Sequence, residues 1–190
     1  AAAAAAVFVP ATPVEHMVAA IQADDEQAIA DLIAAGCRGA VLNELVCGSS
    51  PLHCAARLCR THLMRLLLDA GAAPDLPDVR GCTALWHVVR EGAIEAVQLL
   101  LETGACDVNR TRAQTGTTLL WEAAANGHAH VVRQLLLKRA NARACDPSGA
   151  SPLYLAVQNG HIDVVRVLLA VNVSVNDPLP GSGVTPLWIA

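Results

Sequence analysis

The hydrophobic residues of the chain fall into short blocks that return at an almost constant interval. Each of five blocks begins with Ser or Thr and places Leu two positions later, and their first residues lie 33, 35, 33 and 34 positions apart. A fixed interval of this length is the signature of a repeat architecture. The blocks are Ser50–His53, Thr83–Trp86, Thr118–Trp121, Ser151–Tyr154 and Thr185–Trp188.

A second marked position follows each of the first four blocks after 21 residues. The distance from this position to the next block varies between 12 and 14 residues. A segment of constant length therefore alternates with a segment of variable length, as packed helices alternate with surface loops. The residues of this second column are Gly71, Gly104, Arg139 and Asn172.

The constant segment has the pattern of two short helices. Its opening Ser or Thr is a preferred N-cap, and Pro is favoured at the position that follows. Gly92, Gly127 and Gly160 mark a break between the helices, because glycine readily takes the left-handed conformation that ends a helix. The second helix, for example the block 131–137, carries apolar residues on one face. Helices of about two to three turns are unstable alone, so we expect stability to come from stacking of neighbouring units.

These motifs resemble the ankyrin repeat, a unit of about 33 residues with a Thr-Pro-Leu-His-x-Ala block and a leucine-rich second helix. The match is closest at Ser50–Ala55, at the Gly-His turns 127–128 and 160–161, and at the Asp-Val-Asn element 107–109. The resemblance covers about residues 14–190. It implies an all-α solenoid of stacked helix-turn-helix units joined by β-hairpin loops.

Three residues depart from the family pattern. Cys59 stands where the family has the turn glycine, and Arg139 and Asn172 stand where it has the later glycine. Residues 14–36 lack the hydroxyl-Pro-Leu block, and their acidic residues suit a solvent-facing end, so we interpret them as part of a divergent N-terminal capping repeat.

The phasing predicts where the repeats divide. The six alanines at the start are interpreted as a helical stub or as placeholders for unidentified side chains, and they carry no functional argument. Ala190 lies one turn into a new helix, so we expect the natural protein to continue beyond it. The predicted units are a tail at 1–13, a capping repeat at 14–48, repeats at 49–81, 82–116, 117–149 and 150–183, and the start of a further repeat at 184–190.

Composition and charge narrow the class of protein. The 190 residues are 54% hydrophobic, which excludes intrinsic disorder, and the net charge of −4 is too small to drive binding to nucleic acid or to an anionic membrane. The longest apolar run, Ala1–Ala11, is shorter than the roughly 20 residues of a membrane span. Seven cysteines without a Cys-x-x-Cys pair favour reduced thiols, and no basic residue precedes Arg38 as a signal peptide would require. We therefore expect an intracellular protein, with the cytoplasm favoured.

Charge is distributed unevenly along the chain. Residues 1–37 carry five acidic residues and no Lys or Arg, whereas residues 108–145 carry six basic residues and one acidic residue, Glu122. The basic segment has two interpretations: a solvated face, or a patch that binds an acidic partner.

The aromatic residues occupy one column of the repeats. Trp86, Trp121, Tyr154 and Trp188 share the position that His53 holds in the first full repeat. A row of aromatic rings is one form of ligand platform. The family resemblance implies instead a hydrogen bond between adjacent loops, in which an indole N–H or a phenol O–H takes the place of the imidazole.

The remaining chemistry is weak. His53, Cys54, Cys59 and His62 form the densest group of candidate zinc ligands, but their spacing is not that of a zinc site, and a structural role is the alternative. The sequence has no Gly-x-Ser-x-Gly elbow, and we interpret the glycine-rich segment 180–183 as a hairpin connection rather than a phosphate loop. We predict no catalytic activity, metal or cofactor.

Asn109 is a candidate for modification. It follows Asp107-Val108 in a context that resembles the hairpin asparagines of ankyrin proteins that an oxygen-sensing dioxygenase hydroxylates. The alternative is a structural asparagine that bonds its own backbone in a turn.

The resemblance also implies where a partner protein binds. Ankyrin proteins typically bind partners on a concave face, through the exposed ends of the inner helices and the tips of the loops, here called fingers. Two fingers are long: residues 36–50, which present the apolar pair Leu45 and Val46, and residues 104–118. Contact and packing both remain open as roles for these residues. The inner-helix candidates are Arg57, Leu58, Arg90, Glu91, Ala125, Asn126, Gln158 and Asn159. The finger candidates are Leu45, Val46, Val79, Arg80, Arg110, Arg112, Gln114, Pro147 and Ser148.

We predict a non-catalytic protein–protein interaction scaffold or adaptor that binds one or more protein partners, with an acidic partner as one option. Three alternatives remain open. The first is a substrate-recognition subunit of a ubiquitin ligase, with its docking box beyond Ala190. The second is a structural subunit of a cytoskeletal or ciliary assembly. The third is a regulatory domain of a larger enzyme or channel. The sequence does not predict the oligomeric state.

Overall fold

The computed structural model describes residues 12–179 and 183–189. Two sequence interpretations lie mainly outside these ranges: the alanine tract 1–6, and the hairpin connection 180–183, of which the structure describes Gly183 alone. Ala190 lies outside them as well. The chain divides into two compact units, residues 1–73 and residues 74–190.

The described residues form short helices in pairs, and the predicted all-α fold is confirmed. In chain order these are α1 (Pro13–Ala23), α2 (Glu26–Ala34), a 3-10 helix (Gly39–Asn43), α3 (Pro51–Arg57), α4 (Thr61–Asp69), α5 (Ala84–Glu91), α6 (Ile94–Glu102), α7 (Leu119–Ala125), α8 (Ala129–Leu137), α9 (Pro152–Gln158), α10 (Ile162–Leu169) and α11 (Pro186–Ile189).

Within each unit, like helices pack against like. In the first unit α1 packs against α2 and α3, and α3 packs against α4. In the second unit the inner helices α5, α7, α9 and α11 pack side by side, and the outer helices α6, α8 and α10 do the same. Alanines such as Ala123, Ala124 and Ala156 are fully buried, because small side chains allow neighbouring helices to approach closely. Most of the stability therefore comes from packing between repeats, as expected for a solenoid.

The predicted N-caps begin the inner helices. The hydroxyls of Thr83, Thr118 and Ser151 each accept the backbone N–H three residues later, at distances of 3.1 to 3.3 Å. Each bond satisfies one of the orphan donors of the first turn. At Ser50 the side chain of His53 completes a capping box, with Nδ1 lying 2.7 Å from the Ser50 hydroxyl.

The first helix begins at a block that the sequence analysis missed. Thr12 accepts the backbone N–H of Glu15, and the Glu15 carboxylate accepts the backbone N–H of Thr12 at 2.8 Å. Thr12 and Pro13 are therefore a hydroxyl-Pro start, although they lie 24 residues before Gly36 instead of 21. The longer spacing hid the match, because α1 has 11 residues.

The acidic turn between α1 and α2 corrects a second expectation. Asp24 does not serve a solvent-facing end, since its carboxylate lies 3.0 Å from Arg60 and 3.4 Å from His62 of the next helix pair. Asp25 caps α2 by accepting the backbone N–H of Ala28. The identity of the whole segment as a capping repeat remains a prediction.

The three residues that replace family glycines keep the glycine conformation. Cys59, Arg139 and Asn172 have φ angles of +52°, +65° and +56°, all in the left-handed region. Residues other than glycine pay a conformational cost there, which packing of the helix pairs must offset. The repeat geometry is therefore preserved where the sequence motif is lost.

Finger length decides how each finger closes. In the fingers with 12-residue spacing, Asp78 and Asp146 accept backbone N–H groups two and four residues later. The two fingers with 14-residue spacing close instead with single antiparallel bridges, Val46 with Ser49 and Thr111 with Thr118.

Candidate functional site

The inner-helix candidates of the second unit lie where the sequence placed them, at the exposed ends of α5, α7 and α9. Arg90, Glu91 and Gln158 are exposed. Asn159 is also exposed, but its amide donates to the carbonyl of Ala125 in the preceding repeat at 2.8 Å. Asn126 donates to the carbonyl of Glu122 in its own helix, so these two asparagines contribute to the frame as well as to the surface.

The finger tips differ in how tightly they are held. Val79 and Arg80 are exposed at the tip that Asp78 closes, and Val79 is 70% exposed. Ser148 is bound by Asp146 through both its N–H and its hydroxyl. Pro147 packs on the preceding finger, because a Cβ on Gly116 would lie 2.7 Å from its ring.

The arginines of the finger 104–118 are engaged within the protein. Arg110 forms an ion pair with Asp75 of the preceding finger. The Arg112 guanidinium lies 4.8 Å from the ring centroid of Trp86, an arrangement that favours a cation–π interaction. Arg112 also donates to the side chain of Gln114 at 3.3 Å, and Gln114 itself is exposed. Much of the predicted basic surface of this finger therefore has a structural partner.

One pocket brings predicted residues together within the first unit. Val46 and Arg57 line a cavity of about 300 Å³ between α1, α3 and the finger 36–50. Leu58 lines an adjoining pocket of about 150 Å³, which also contacts Arg57. Leu45 is exposed nearby but lines neither pocket. We call the two pockets together the inner groove. The remaining lining residues are Glu15, Val18, Ala19, Gln22, Cys47, Ser49 and Cys54.

Sequence reasoning found the finger and α3 sides of the inner groove and missed the α1 side. Val18, Ala19 and Gln22 come from α1, which the analysis treated only as a divergent cap. The available signal was the Thr12-Pro13 start, which sets the phase of α1. Burial raises the pKa of the Cys54 thiol, an effect that Arg57 opposes. This thiol is therefore neutral at physiological pH.

The aromatic column is packing, and its predicted hydrogen bond is wrong for the tryptophans. The Nε1 atoms of Trp86 and Trp121 are buried without a hydrogen-bond partner, so neither indole replaces an imidazole between loops. Trp86 is only 7% exposed and Tyr154 is also buried, which leaves no continuous platform for a ligand. His53 bonds Ser50 at the start of its own helix.

The candidate zinc residues point to different neighbours. His53 binds Ser50, whereas His62 lies 3.4 Å from Asp24. Across residues 12–179 and 183–189 no three His, Cys, Asp or Glu side chains converge as a metal site would require. All seven cysteines are free thiols.

Asn109 links two repeats instead of bonding only its own turn. Its side-chain oxygen accepts the backbone N–H of Asn141 at 2.8 Å, and its amide donates to the carbonyl of Arg139 at 3.3 Å. The simple turn interpretation is therefore corrected. Modification of Asn109 stays a prediction.

In the part of the chain that the structure describes, no helix is both long enough and apolar enough to cross a membrane.

Comparison with known proteins identifies the repeats. The family described as "Ankyrin repeats (3 copies)" matches residues 16–112 and 105–178. Among curated proteins, the chain is 40% identical over 94 residues to human Neurogenic locus notch homolog protein 4, which covers 50% of this chain and 5% of that protein. It is 41% identical over 88 residues to the E3 ubiquitin-protein ligase XBAT33 of Arabidopsis thaliana, covering 46% of this chain and 17% of the ligase.

A third relative is the mouse B-cell lymphoma 3 protein homolog, which is 34% identical over 108 residues, covering 55% of this chain and 24% of that protein. The matched part of the chain thus spans a quarter or less of each of these three relatives.

Proposed function

Because the chain belongs to the ankyrin repeat family, whose repeats mediate protein–protein interaction, we propose that it is a non-catalytic scaffold or adaptor. It binds a partner protein through the inner-helix ends and the finger tips. The residues that meet the partner are the exposed members of the two predicted sets, foremost those that line the inner groove. The setting is intracellular, with the cytoplasm favoured because all seven thiols are free.

The observation that carries this proposal is the inner groove. Three residues expected from sequence to contact a partner, Val46, Arg57 and Leu58, line one continuous depression. Its walls are mostly apolar, while Glu15 and Arg57 supply a few polar groups at its edge. A mostly apolar cleft with a few polar groups is the usual form of a binding site. The partner therefore offers an apolar side chain to the groove and a carboxylate to Arg57.

Charge reversal in the groove tests this proposal. The tagged full chain and its Arg57→Glu variant are used to capture partners from cells by crosslinking, and the captured proteins are quantified by mass spectrometry. Arg65→Glu is the matched control, because Arg65 is an exposed arginine on the outer helix α4 and the charge change is identical.

We expect the principal partner to be retained by Arg65→Glu and reduced about tenfold or more by Arg57→Glu, as for the loss of an interface hot spot. Equal retention by both variants, with both folded by circular dichroism, contradicts a partner site in the inner groove.

A second candidate function is substrate recognition for a ubiquitin ligase. The observation that favours it is the similarity of about half of this chain to the plant E3 ubiquitin-protein ligase XBAT33. The chain is purified from cells with its bound proteins and assayed for ubiquitin conjugation. Activity that is lost with Arg57→Glu supports this role, and a blank assay with intact partner capture contradicts it.

A further inference from the structure

The outer helices of the last two complete repeats form an apolar groove on the second unit. The groove lies between α8 and α10 and has a volume of about 360 Å³. Leu137 on its rim is 70% exposed and Val171 is 46% exposed. We call it the outer groove. Its lining residues are Arg133, Leu136, Leu137, Arg166, Val167, Ala170 and Val171.

The repeat register shows that this surface is particular to two repeats. The position two residues before the second column is exposed in each repeat, and it holds Asp69 in α4 and Glu102 in α6. The same position holds Leu137 in α8 and Ala170 in the last repeat. The first two repeats thus carry ordinary solvated carboxylates where the last two carry apolar side chains. Ala170 deepens the groove, because it is the small member of the column.

Arginines flank the apolar surface. Arg133 and Arg166 occupy equivalent positions one turn before Leu137 and Ala170, and both line the groove. Asp163 lies 3.8 Å from Arg166, but both side chains are more than three-quarters exposed, so this ion pair is weak. The exposed Lys138 and Arg139 add positive charge at the end of α8. The groove is therefore apolar along its floor and positively charged at its edges.

We propose that the outer groove binds an acidic amphipathic helix of a partner protein. The cleft between two neighbouring helices fits a third helix, which places apolar residues at spacings i, i+3, i+4 and i+7 into the floor. Acidic residues beside them reach Arg133 and Arg166, which bind carboxylates well because of the planar guanidinium. A lipid surface fits this site less well, because a flat bilayer does not enter a cleft whose floor lies below its rim.

This inference rests on the proposed role in protein interaction and adds a second surface, separate from the inner groove. A library of random 16-residue peptides is displayed and selected on the full chain, and the enriched peptides are then measured by fluorescence polarisation. Vesicles of phosphatidylcholine and phosphatidylserine are tested in parallel. The variants are Leu137→Glu, which restores the acid of Glu102, and Ala170→Leu, which fills the floor while keeping it apolar. Ile162→Glu is the matched control, since Ile162 is an exposed residue of α10 that does not line the groove.

We expect enriched peptides with apolar residues at helical spacing and an excess of Asp and Glu. Their affinity falls about tenfold or more in Leu137→Glu and in Ala170→Leu, and changes less than about twofold in Ile162→Glu. Three results overturn the proposal: no enrichment, enriched peptides that bind both groove variants normally, or vesicle binding without peptide binding. Because Arg57→Glu leaves this groove unchanged, failure here is distinguishable from failure of the inner groove.

Discussion

The imidazole of His128 closes over Gly92 of the preceding repeat. Its Nε2 lies 2.9 Å from the carbonyl oxygen of Arg90, and a Cβ on Gly92 would lie only 2.5 Å from its Nδ1. The arrangement recurs one repeat later, where His161 lies 3.0 Å from the carbonyl of Ala125 and over Gly127. The Gly-His turn is therefore a contact between repeats. Its glycine is required by the next repeat's histidine as well as by its own backbone.

Gly92→Ala is expected to destabilise the protein more than Gly160→Ala. Both glycines have φ close to +72°, so both substitutions carry the cost of a left-handed alanine. Gly160 has no atom within 4 Å of a new Cβ, whereas Gly92 faces His128. The difference in free energy of unfolding should be about 2 kcal/mol, the range found for overpacking. Urea denaturation followed by circular dichroism measures it.

The extra cost should vanish when the histidine is removed. In a His128→Ala background, Gly92→Ala should cost no more than Gly160→Ala, because the two changes are coupled through one contact. If the extra cost persists in that background, the imidazole is not its cause.

Asn109→Ala is expected to loosen the link to the next repeat. The substitution leaves the backbone N–H of Asn141 without its acceptor, which costs about 1 kcal/mol at an exposed site. Asn109→Asp keeps an oxygen at this position and serves as the matched control. Hydrogen exchange at the Asn141 amide should accelerate in the alanine variant and stay slow in the aspartate variant. Equal exchange in all three proteins would count against the link.

Arg112→Ala is expected to lower stability, although Arg112 lies in a finger. Loss of the guanidinium from the face of Trp86 costs about 1 kcal/mol and changes the tryptophan fluorescence. Arg80→Ala is the control, because the Arg80 side chain is exposed at a neighbouring finger tip and its substitution should stay within about 0.5 kcal/mol. Identical unfolding curves for the two variants would contradict a structural role for Arg112.

The Asp78→Asn substitution is expected to change how stability depends on pH. Burial raises the pKa of Asp78, but the backbone N–H groups of Cys82 and Arg80 and the side chain of His87 outweigh it and hold the pKa below its usual value. A lowered carboxyl pKa adds stability above the pKa of the unfolded chain, about 3.9, and this stability is lost as the pH falls through the folded value.

The stability gap between the unsubstituted protein and Asp78→Asn should therefore be largest near neutral pH and shrink below about pH 4. Urea denaturation at a series of pH values measures the gap. A gap of the same size at every pH would show that the charge of Asp78 is not the source.

Local features were predictable because they depend on neighbours in the chain. The caps at Thr83, Thr118 and Ser151 form bonds over three residues, so the spacing of the blocks was enough to predict them. The left-handed turns at Gly92, Gly127 and Gly160 follow from glycine itself. The start of α1 was missed because its spacing to Gly36 is longer than in the other repeats.

The contacts between repeats were beyond the sequence pattern. The prediction of an indole hydrogen bond failed because the finger that carries Arg112 places a guanidinium over the ring of Trp86, while Nε1 finds no acceptor. Arg110 meets Asp75 across 35 residues, and no local rule pairs these two positions. The α1 wall of the inner groove likewise needs the packing of α1 on α3.

The sequence by itself determined the period, the helical pairs, their caps and the family, since each depends on residue type at fixed short spacing. Only the tertiary structure decided which polar side chains are consumed by the frame and which remain for a partner. The physical reason is that stacking brings residues about one repeat apart into hydrogen-bonding distance, as Asn109 and Asn141 show. Their pairing depends on finger length and helix packing, which the repeating pattern does not specify.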